Sequence, residues 1–334
     1  MNINRWLLSS FLCLTCVACQ QKTYHQNENV VFGTIYHITY SATKDFQRDI
    51  DAELAKFDDA LSTFNPNSTL SKFNASGIEP FDLSKEFWMW NVVKKSLEIS
   101  ALTHGAFDIT VGPLVDLWGF GIKDRSNPDQ AQIEETRAYV GYSKIHLRDK
   151  MLTKDDARMR LDCSAVAKGY ACDVIANLLK SKGITNFLVE IGGEMVLSGH
   201  NAEGLPWNIG INKPVEDSTS TNMELEKRIR LTNKSMATSG NYRNFYVKQG
   251  KKYAHTIDPK TGYPVQHNLL SATIIANDCL TADALATACM VLGADSALAI
   301  VERTANVEGL FISADKNGGH LIQMTSGMKA FTSR

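Results

Sequence analysis

Apolar positions recur along the chain with two different periods, which together predict a protein of mixed helices and strands. Spacings of three and four residues predict helices over 45–60, 85–103, 129–140, 165–182, 281–292 and 296–304. Alternation and short apolar runs predict strands over 30–40, 186–191, 229–232, 252–257 and 270–276, short strands within 142–162 and two strands within 307–323. Residues 29–334 are therefore predicted to form one α+β domain, a single mixed α/β chain.

Three stretches lack either period and are predicted to be irregular. Residues 105–121 are rich in Gly, Pro and aromatic side chains and predict a functional loop. The glycines at 192–193 predict a turn between two strands, and the polar stretch 213–228 predicts a surface insertion.

The first eighteen residues have the pattern of a secretory signal peptide. A charged start is followed by a short apolar run that ends in small residues, and the run is too short for a comfortable membrane span. Cys19 stands where a lipobox cysteine would be, so we expect lipid attachment at Cys19 and a polar tether over 19–28. The expected location is extracytoplasmic, lipid-anchored to a bacterial membrane and facing the periplasm. The alternative is plain secretion with cleavage near Ala18.

Charge and cysteine usage narrow the class of protein. The 35 basic and 36 acidic residues give a net charge of -1, which provides no basic surface for nucleic acid. Beyond Cys19 the sequence has four more cysteines, at positions 163, 172, 279 and 289, and none forms a C-x-x-C pair. Buried free thiols are the favoured interpretation, and a single disulfide bond is the alternative in an extracytoplasmic protein.

Two segments have the residue types of a phosphate and metal site. Asp283 and Thr287 are four residues apart on a predicted helix, so their oxygens share one face and could hold Mg²⁺. Asp283 could instead only favour the helix dipole. Ser164 is a candidate N-cap of another helix, whose N-terminus with Lys168 could bind phosphate. Local spacing alone favours an ordinary strand-to-helix turn with Lys168 in solvent.

His255 is the candidate general base, because its side chain has an ordinary pKa near neutral, roughly 6.5. A single histidine is more often structural, and residues 258–262 have the composition of a turn. The sequence contains neither a Walker A loop nor a G-x-G-x-x-G after a strand, which argues against P-loop and Rossmann sites.

These motifs, taken in order, resemble the ApbE-type FAD:protein FMN transferases, once labelled thiamine-biosynthesis lipoproteins. The resemblance covers nearly the whole chain beyond the signal, in the segments 33–34, 61–64, 71–74, 105–114, 118–121, 162–173, 190–194, 238–242, 255–259 and 282–287. It implies an ApbE-like α+β fold.

The resemblance also implies site residues. It points to Mg²⁺ held by Asp283, Thr287 and the backbone oxygen of Ala165, with Phe32 and Phe64 beside the flavin. Many relatives have Tyr at the position of Phe64. FAD contacts are implied for Ala106, Phe107, Asp108, Asp162, Lys168, His255 and Ile257.

The implied reaction moves the FMN half of FAD onto a Ser or Thr hydroxyl of an acceptor protein and releases AMP, with His255 as base. Implied acceptors are subunits of Na⁺-pumping quinone reductase and Rnf-type complexes, or periplasmic flavin reductases. Two alternatives are an FAD pyrophosphatase, which would release free FMN and AMP, and a non-catalytic lipoprotein that stores or delivers FAD.

Overall fold

The computed structural model describes residues 23–121, 128–214, 224–241, 245–248, 251–317 and 319–332. The α-helices within these ranges are α1 Gln47–Leu61, α2 Thr69–Ala75, α3 Phe87–Leu102, α4 Gly112–Leu117, α5 Gln130–Ala138, α6 Ala167–Ser181, α7 Cys279–Leu292 and α8 Ala294–Arg303. The strands are β1 Thr23–Val31, β2 Thr34–Ala42, β3 Phe81–Asp82, β4 Ile145–Arg148, β5 Met151–Lys154, β6 Phe187–Ile191, β7 Glu194–Ser198, β8 Trp207–Asn212, β9 Leu225–Leu231, β10 Lys234–Gly240, β11 Phe245–Lys248, β12 Lys251–Ala254, β13 Leu269–Ala276, β14 Glu308–Ala314 and β15 His320–Met324.

An eight-stranded sheet forms the centre of the fold, in the order β1-β2-β6-β7-β10-β13-β14-β15. Every neighbouring pair in it is antiparallel. One face packs against the helices in the main core, and the other packs against the β8–β9 hairpin in a second core. Since side chains alternate along a strand, β7 sends Val196 to the helical core and Met195 and Leu197 to the second core. The α+β prediction is confirmed.

Helices α6 and α7 pack together at their N-terminal ends, where Gly169 is the contact residue. A Cβ atom at Gly169 would lie 2.5 Å from the Cys279 carbonyl oxygen and 2.7 Å from Asp283 Cβ. The Asp173 carboxylate of α6 accepts hydrogen bonds from the backbone N–H groups of Cys279 and Leu280, at 2.9 and 2.8 Å. These contacts fix the start of α7 against α6 because they satisfy N–H groups that the helix itself leaves unpaired.

The stretch predicted as an irregular loop, 105–121, contains regular structure. A 3₁₀ turn, Ile109–Val111, leads directly into α4. Leu114 and Trp118 then pack with α5 and with Ile257 in a third apolar cluster. Six residues of helix are too few to show a period in the sequence, which explains why α4 is absent from the predicted elements.

The folded chain begins earlier than the tether prediction implies. Residues 23–28 lie in β1, which pairs with β2 from Thr23↔Ala42 to Val31↔Thr34. The Tyr24 hydroxyl donates to the His200 carbonyl at 2.7 Å and anchors the start of this strand. The tether predicted over 19–28 is therefore wrong for residues 23–28, and the predicted signal and Cys19 lie outside the described residues.

Some strands of the structure also differ from the strands that the sequence predicts. The sequence does not predict β8, and part of the predicted insertion over 213–228 belongs to β9. The strand predicted over 252–257 ends at Ala254 in β12. The four cysteines that follow Cys19 are free and buried, as predicted. Within the described ranges, no helix combines the length and apolar character that a bilayer crossing requires.

We predict that Gly169→Ala lowers the free energy of unfolding by about 1–3 kcal/mol, because the new methyl group forces α6 and α7 apart. Gly77→Ala is the matched control, since a Cβ atom at the exposed Gly77 meets no heavy atom within 4 Å. Urea denaturation of both variants tests the difference. Equal stabilities would contradict the close packing at Gly169.

We also predict that Asp173 makes stability depend on pH. Burial raises the pKa of its carboxyl to about 7 in the folded chain, whereas an unfolded Asp has a pKa of about 3.9. Between these values the folded state holds a proton that the unfolded state has lost, so the stability that Asp173 contributes falls as pH rises from about 4 to about 7.

Asp173→Asn removes this titration. The free energy of unfolding of the variant minus that of the unsubstituted protein should therefore increase from about pH 4 to about pH 7. Urea denaturation at several pH values gives this difference. A difference that stays constant across the range would contradict the raised pKa.

Candidate functional site

The predicted metal residues of α7 face α6 and the central sheet. Asp283 is only 3% exposed, and its Oδ2 accepts a hydrogen bond from the Gly169 N–H at 2.9 Å. Thr287 lies one turn further along, with its Oγ1 3.3 Å from Ser239 Oγ on β10. The carboxylate and the hydroxyl therefore lie on the same side of α7, as their spacing predicts.

Ala165 lies in the turn before α6, four residues before Gly169. A carbonyl, a carboxylate and a hydroxyl are all hard oxygen donors, which suit Mg²⁺. Across the described ranges, no group of three or more His, Cys, Asp or Glu side chains could hold a metal ion. The donors present thus fit a magnesium ion that completes its coordination with phosphate and water, and do not fit a site built from protein side chains alone.

Lys168 does not extend freely into solvent. Its Nζ lies 2.5 Å from Oε2 of Glu194, and the two side chains are 32% and 4% exposed. Burial would lower the pKa of Lys168, but the negative charges of Glu194 and Asp283 outweigh burial and raise it. Burial raises the pKa values of Glu194 and Asp283, and the charge of Lys168 opposes both increases. The site thus contains two buried carboxylates and one ammonium, which compensates for only one of them.

The Gly192–Gly193 turn determines where Glu194 lies. Both glycines have positive φ, 61° and 104°, in the tight turn that pairs Ile191 with Glu194. A Cβ atom at Gly192 would lie 2.9 Å from Thr34 and 3.3 Å from Lys168 Cδ. Glycine at 192 therefore leaves space for the Lys168 side chain to reach Glu194.

The predicted FAD-contact loop around Asp108 is held by its own hydrogen bonds. The Asp108 carboxylate accepts from the Thr110 N–H at 2.8 Å, the Thr110 hydroxyl at 2.7 Å and the Tyr142 N–H at 2.7 Å. Burial raises the pKa of Asp108, and these donors oppose the increase. The carboxylate of Asp108 thus shapes the loop.

Several other predicted contact residues are buried in apolar clusters. Phe107 packs in the main core, Ile257 packs with α4 and α5, and Ala106 is also buried. Since their side chains pack inside the protein, the backbone of these segments is what remains to face a ligand. Asp162 is partly exposed, and its Oδ1 accepts from the Ser164 N–H at 2.8 Å.

The loop that carries His255 lies against the segment that carries Ala106. A Cβ atom at Gly105 would lie 3.7 Å from Lys260 Cε, and the Trp118 indole N–H donates to the Gly262 carbonyl at 2.8 Å. His255 itself is half-buried and directly follows β12. The structure thus brings together two predicted FAD segments that are about 150 residues apart in the sequence.

Phe32 and Phe64 line one groove, of about 480 Å³, between the β1–β2 hairpin and α1. Phe32 is in the left-handed region with φ of 51° and packs against Phe57. Phe64 is 81% exposed, so its ring is free to stack on a planar ligand.

Two residues of this arrangement are absent from the predicted site: Glu194 and Ser239. The signal for Glu194 is its position. It follows the Gly-Gly turn and lies two residues before the core-facing Val196, so both side chains are on the same face of the strand. The sequence therefore has an acidic residue at a position where an apolar one is usual. Nothing in the sequence pairs Ser239 with Thr287, because β10 and α7 meet only in the folded chain.

Comparison with known proteins identifies the family. The sequence profile described as the ApbE family matches residues 32–311. The chain belongs to the ApbE family. A FAD:protein FMN transferase of Vibrio cholerae is 36% identical over 342 positions, covering 99% of this chain and 100% of the relative. Another, from Escherichia coli K12, is 39% identical over 317 positions, covering 89% and 88%.

Solved structures agree with the family assignment. Flavin transferase ApbE from Vibrio cholerae has a TM-score of 0.83 at 36% identity, covering 93% of this chain and 99% of that chain. The ApbE protein from Thermotoga maritima has a TM-score of 0.81 at 29% identity, covering 93% and 100%. The predicted family is confirmed, and the ApbE fold extends over nearly all of the described chain.

Proposed function

We propose that this ApbE-family enzyme transfers the FMN moiety of FAD to a Ser or Thr hydroxyl of an acceptor protein. The observation that carries the proposal is the buried Asp283 carboxylate, held against Gly169 beside Lys168 and one turn from Thr287. Such a site suits a cation and a pyrophosphate. The names of the V. cholerae and E. coli relatives support the same reaction.

Asp283, Thr287 and the backbone oxygen of Ala165 are the proposed ligands of Mg²⁺. When bound there, the ion supplies positive charge that stabilises the phosphoryl group during transfer. Lys168 adds a second positive charge near the start of α6, where backbone N–H groups also favour phosphate.

His255 is the proposed general base. It accepts the proton of the acceptor hydroxyl as the oxygen attacks the phosphorus of the FMN half. The new bond is a phosphoester between that oxygen and phosphorus. The bond that breaks joins the same phosphorus to the bridging oxygen of the pyrophosphate, so AMP leaves. Phe32 and Phe64 are the proposed flavin contacts, a role supported by their aromatic rings lining one groove.

The proposed location is outside the cytoplasm, with a lipid on Cys19. The start of β1 at Thr23 leaves three residues between that cysteine and the folded domain. At about 3.5 Å per residue, such a link holds the domain within roughly 15 Å of the lipid. The proposed acceptors are therefore proteins at the same membrane, such as Na⁺-pumping quinone reductase or Rnf-type subunits.

We predict metal-dependent flavin transfer to an acceptor. The enzyme would be incubated with FAD, Mg²⁺ and a flavin-free acceptor subunit, then denatured and examined for flavin fluorescence in the gel. A fluorescent acceptor band that EDTA removes is the expected result. Asp283→Ala should reduce the rate of labelling by a factor of about 10³ or more, because it removes the proposed charged metal ligand.

The control is an acceptor in which the modified Ser or Thr is replaced by Ala, which should stay unlabelled. Release of AMP and free FMN without labelling of several candidate acceptors would instead indicate an FAD pyrophosphatase. Intact FAD under every condition would indicate a protein that binds FAD without catalysis. Full labelling by Asp283→Ala would exclude Asp283 as a metal ligand.

A further inference from the structure

Glu194 combines deep burial with a charge that the proposed reaction does not use. It is 4% exposed, lies at the first position of β7 and points towards the helical core. Its carboxylate is 2.5 Å from the ammonium of Lys168. Burying an ion pair is unfavourable unless the pair is well placed, so a purely apolar residue would serve packing at this position equally well.

The charges of both Glu194 and Asp283 act on Lys168, but Lys168 forms an ion pair with Glu194. The Asp283 charge acts on Lys168 and contributes to its raised pKa. Yet, among the residues that the structure describes, the ion pair of Lys168 is with Glu194 and not with Asp283. Asp283 instead accepts from the Gly169 N–H through Oδ2.

We propose that Glu194 is a positioning residue that holds Lys168 away from Asp283 and so keeps the Asp283 carboxylate available to a divalent cation. The inference rests on the proposed metal site. Without the charge of Glu194, Asp283 becomes the strongest remaining anion near the flexible Lys168 side chain. The ammonium then pairs with Asp283, or stays in place as an uncompensated positive charge beside it. Both outcomes weaken cation binding.

The net charge of the site also predicts that loss of the Glu194 charge weakens cation binding. In the ionised site Glu194 and Asp283 contribute two negative charges and Lys168 one positive charge, a net charge of -1. Glu194→Gln brings the net charge to zero. The double variant Glu194→Gln with Lys168→Met restores it to -1, with Asp283 as the remaining charge.

The test is direct binding of Mn²⁺ alone, measured by electron paramagnetic resonance without FAD or acceptor. Mn²⁺ takes the same oxygen ligands as Mg²⁺ and is detectable in this way. We expect Glu194→Gln to weaken Mn²⁺ binding roughly tenfold, because it removes one negative charge from the buried site. The double variant should return to within about threefold of the unsubstituted enzyme, a non-additive result.

Glu190→Gln is the matched control. Glu190 belongs to the same hairpin, but its carboxylate is 2.7 Å from His37 Nδ1 on the opposite face of the sheet. Its Oε1 also accepts a hydrogen bond from the Gly193 N–H, which the amide oxygen of Gln can accept as well. This variant should bind Mn²⁺ like the unsubstituted enzyme.

Unchanged Mn²⁺ binding by Glu194→Gln would overturn the proposal, as would a double variant as weak as the single one, because a merely structural role predicts no rescue. Failure of the proposed function is distinguishable, since it would appear as absence of FMN transfer by an unsubstituted enzyme that still binds Mn²⁺.

Discussion

The contact between α6 and α7 at Gly169 is the constraint on which the candidate site depends. Because residue 169 has no Cβ atom, the two helices approach until the Gly169 N–H reaches the Asp283 carboxylate. The same approach places Lys168, the neighbour of Gly169, where its charge acts on Asp283. A larger residue at 169 would separate the helices and with them the groups that the proposed chemistry requires.

The site holds two carboxyl groups, those of Asp283 and Glu194, whose burial disfavours their ionised forms. Burial raises the pKa values of both Asp283 and Glu194, and Lys168 compensates for only one of the two charges. The remaining negative charge is the feature that the proposed cation would neutralise. If the proposed cation binds here, stability and cation binding are coupled, since the groups that are unfavourable to bury are also the ones that attract a metal ion.

The sequence predicts the parts of this arrangement that leave a local pattern. The i, i+4 spacing of Asp283 and Thr287 places both on one face of α7, and the apolar periods predict most of the central helices and strands. β1 has no such pattern, because it is an edge strand with mostly exposed side chains and is held by backbone pairing. The Lys168–Glu194 pair is also invisible locally, since it joins α6 to β7.

The proposed base and the proposed metal ligands belong to segments that pack in different apolar clusters. Asp283 belongs to α7, which packs in the main core, whereas Ile257, two residues after His255, is anchored in the cluster with Leu114 and Trp118. The segment before α4 joins the two clusters through the hydrogen bond from the Asp162 N–H to the Ile109 carbonyl, at 2.7 Å. The buried Asp108 carboxylate holds this segment in place through its hydrogen bonds from Thr110 and Tyr142. It thereby fixes the Ile109 carbonyl that receives the Asp162 N–H, five residues before α6 begins.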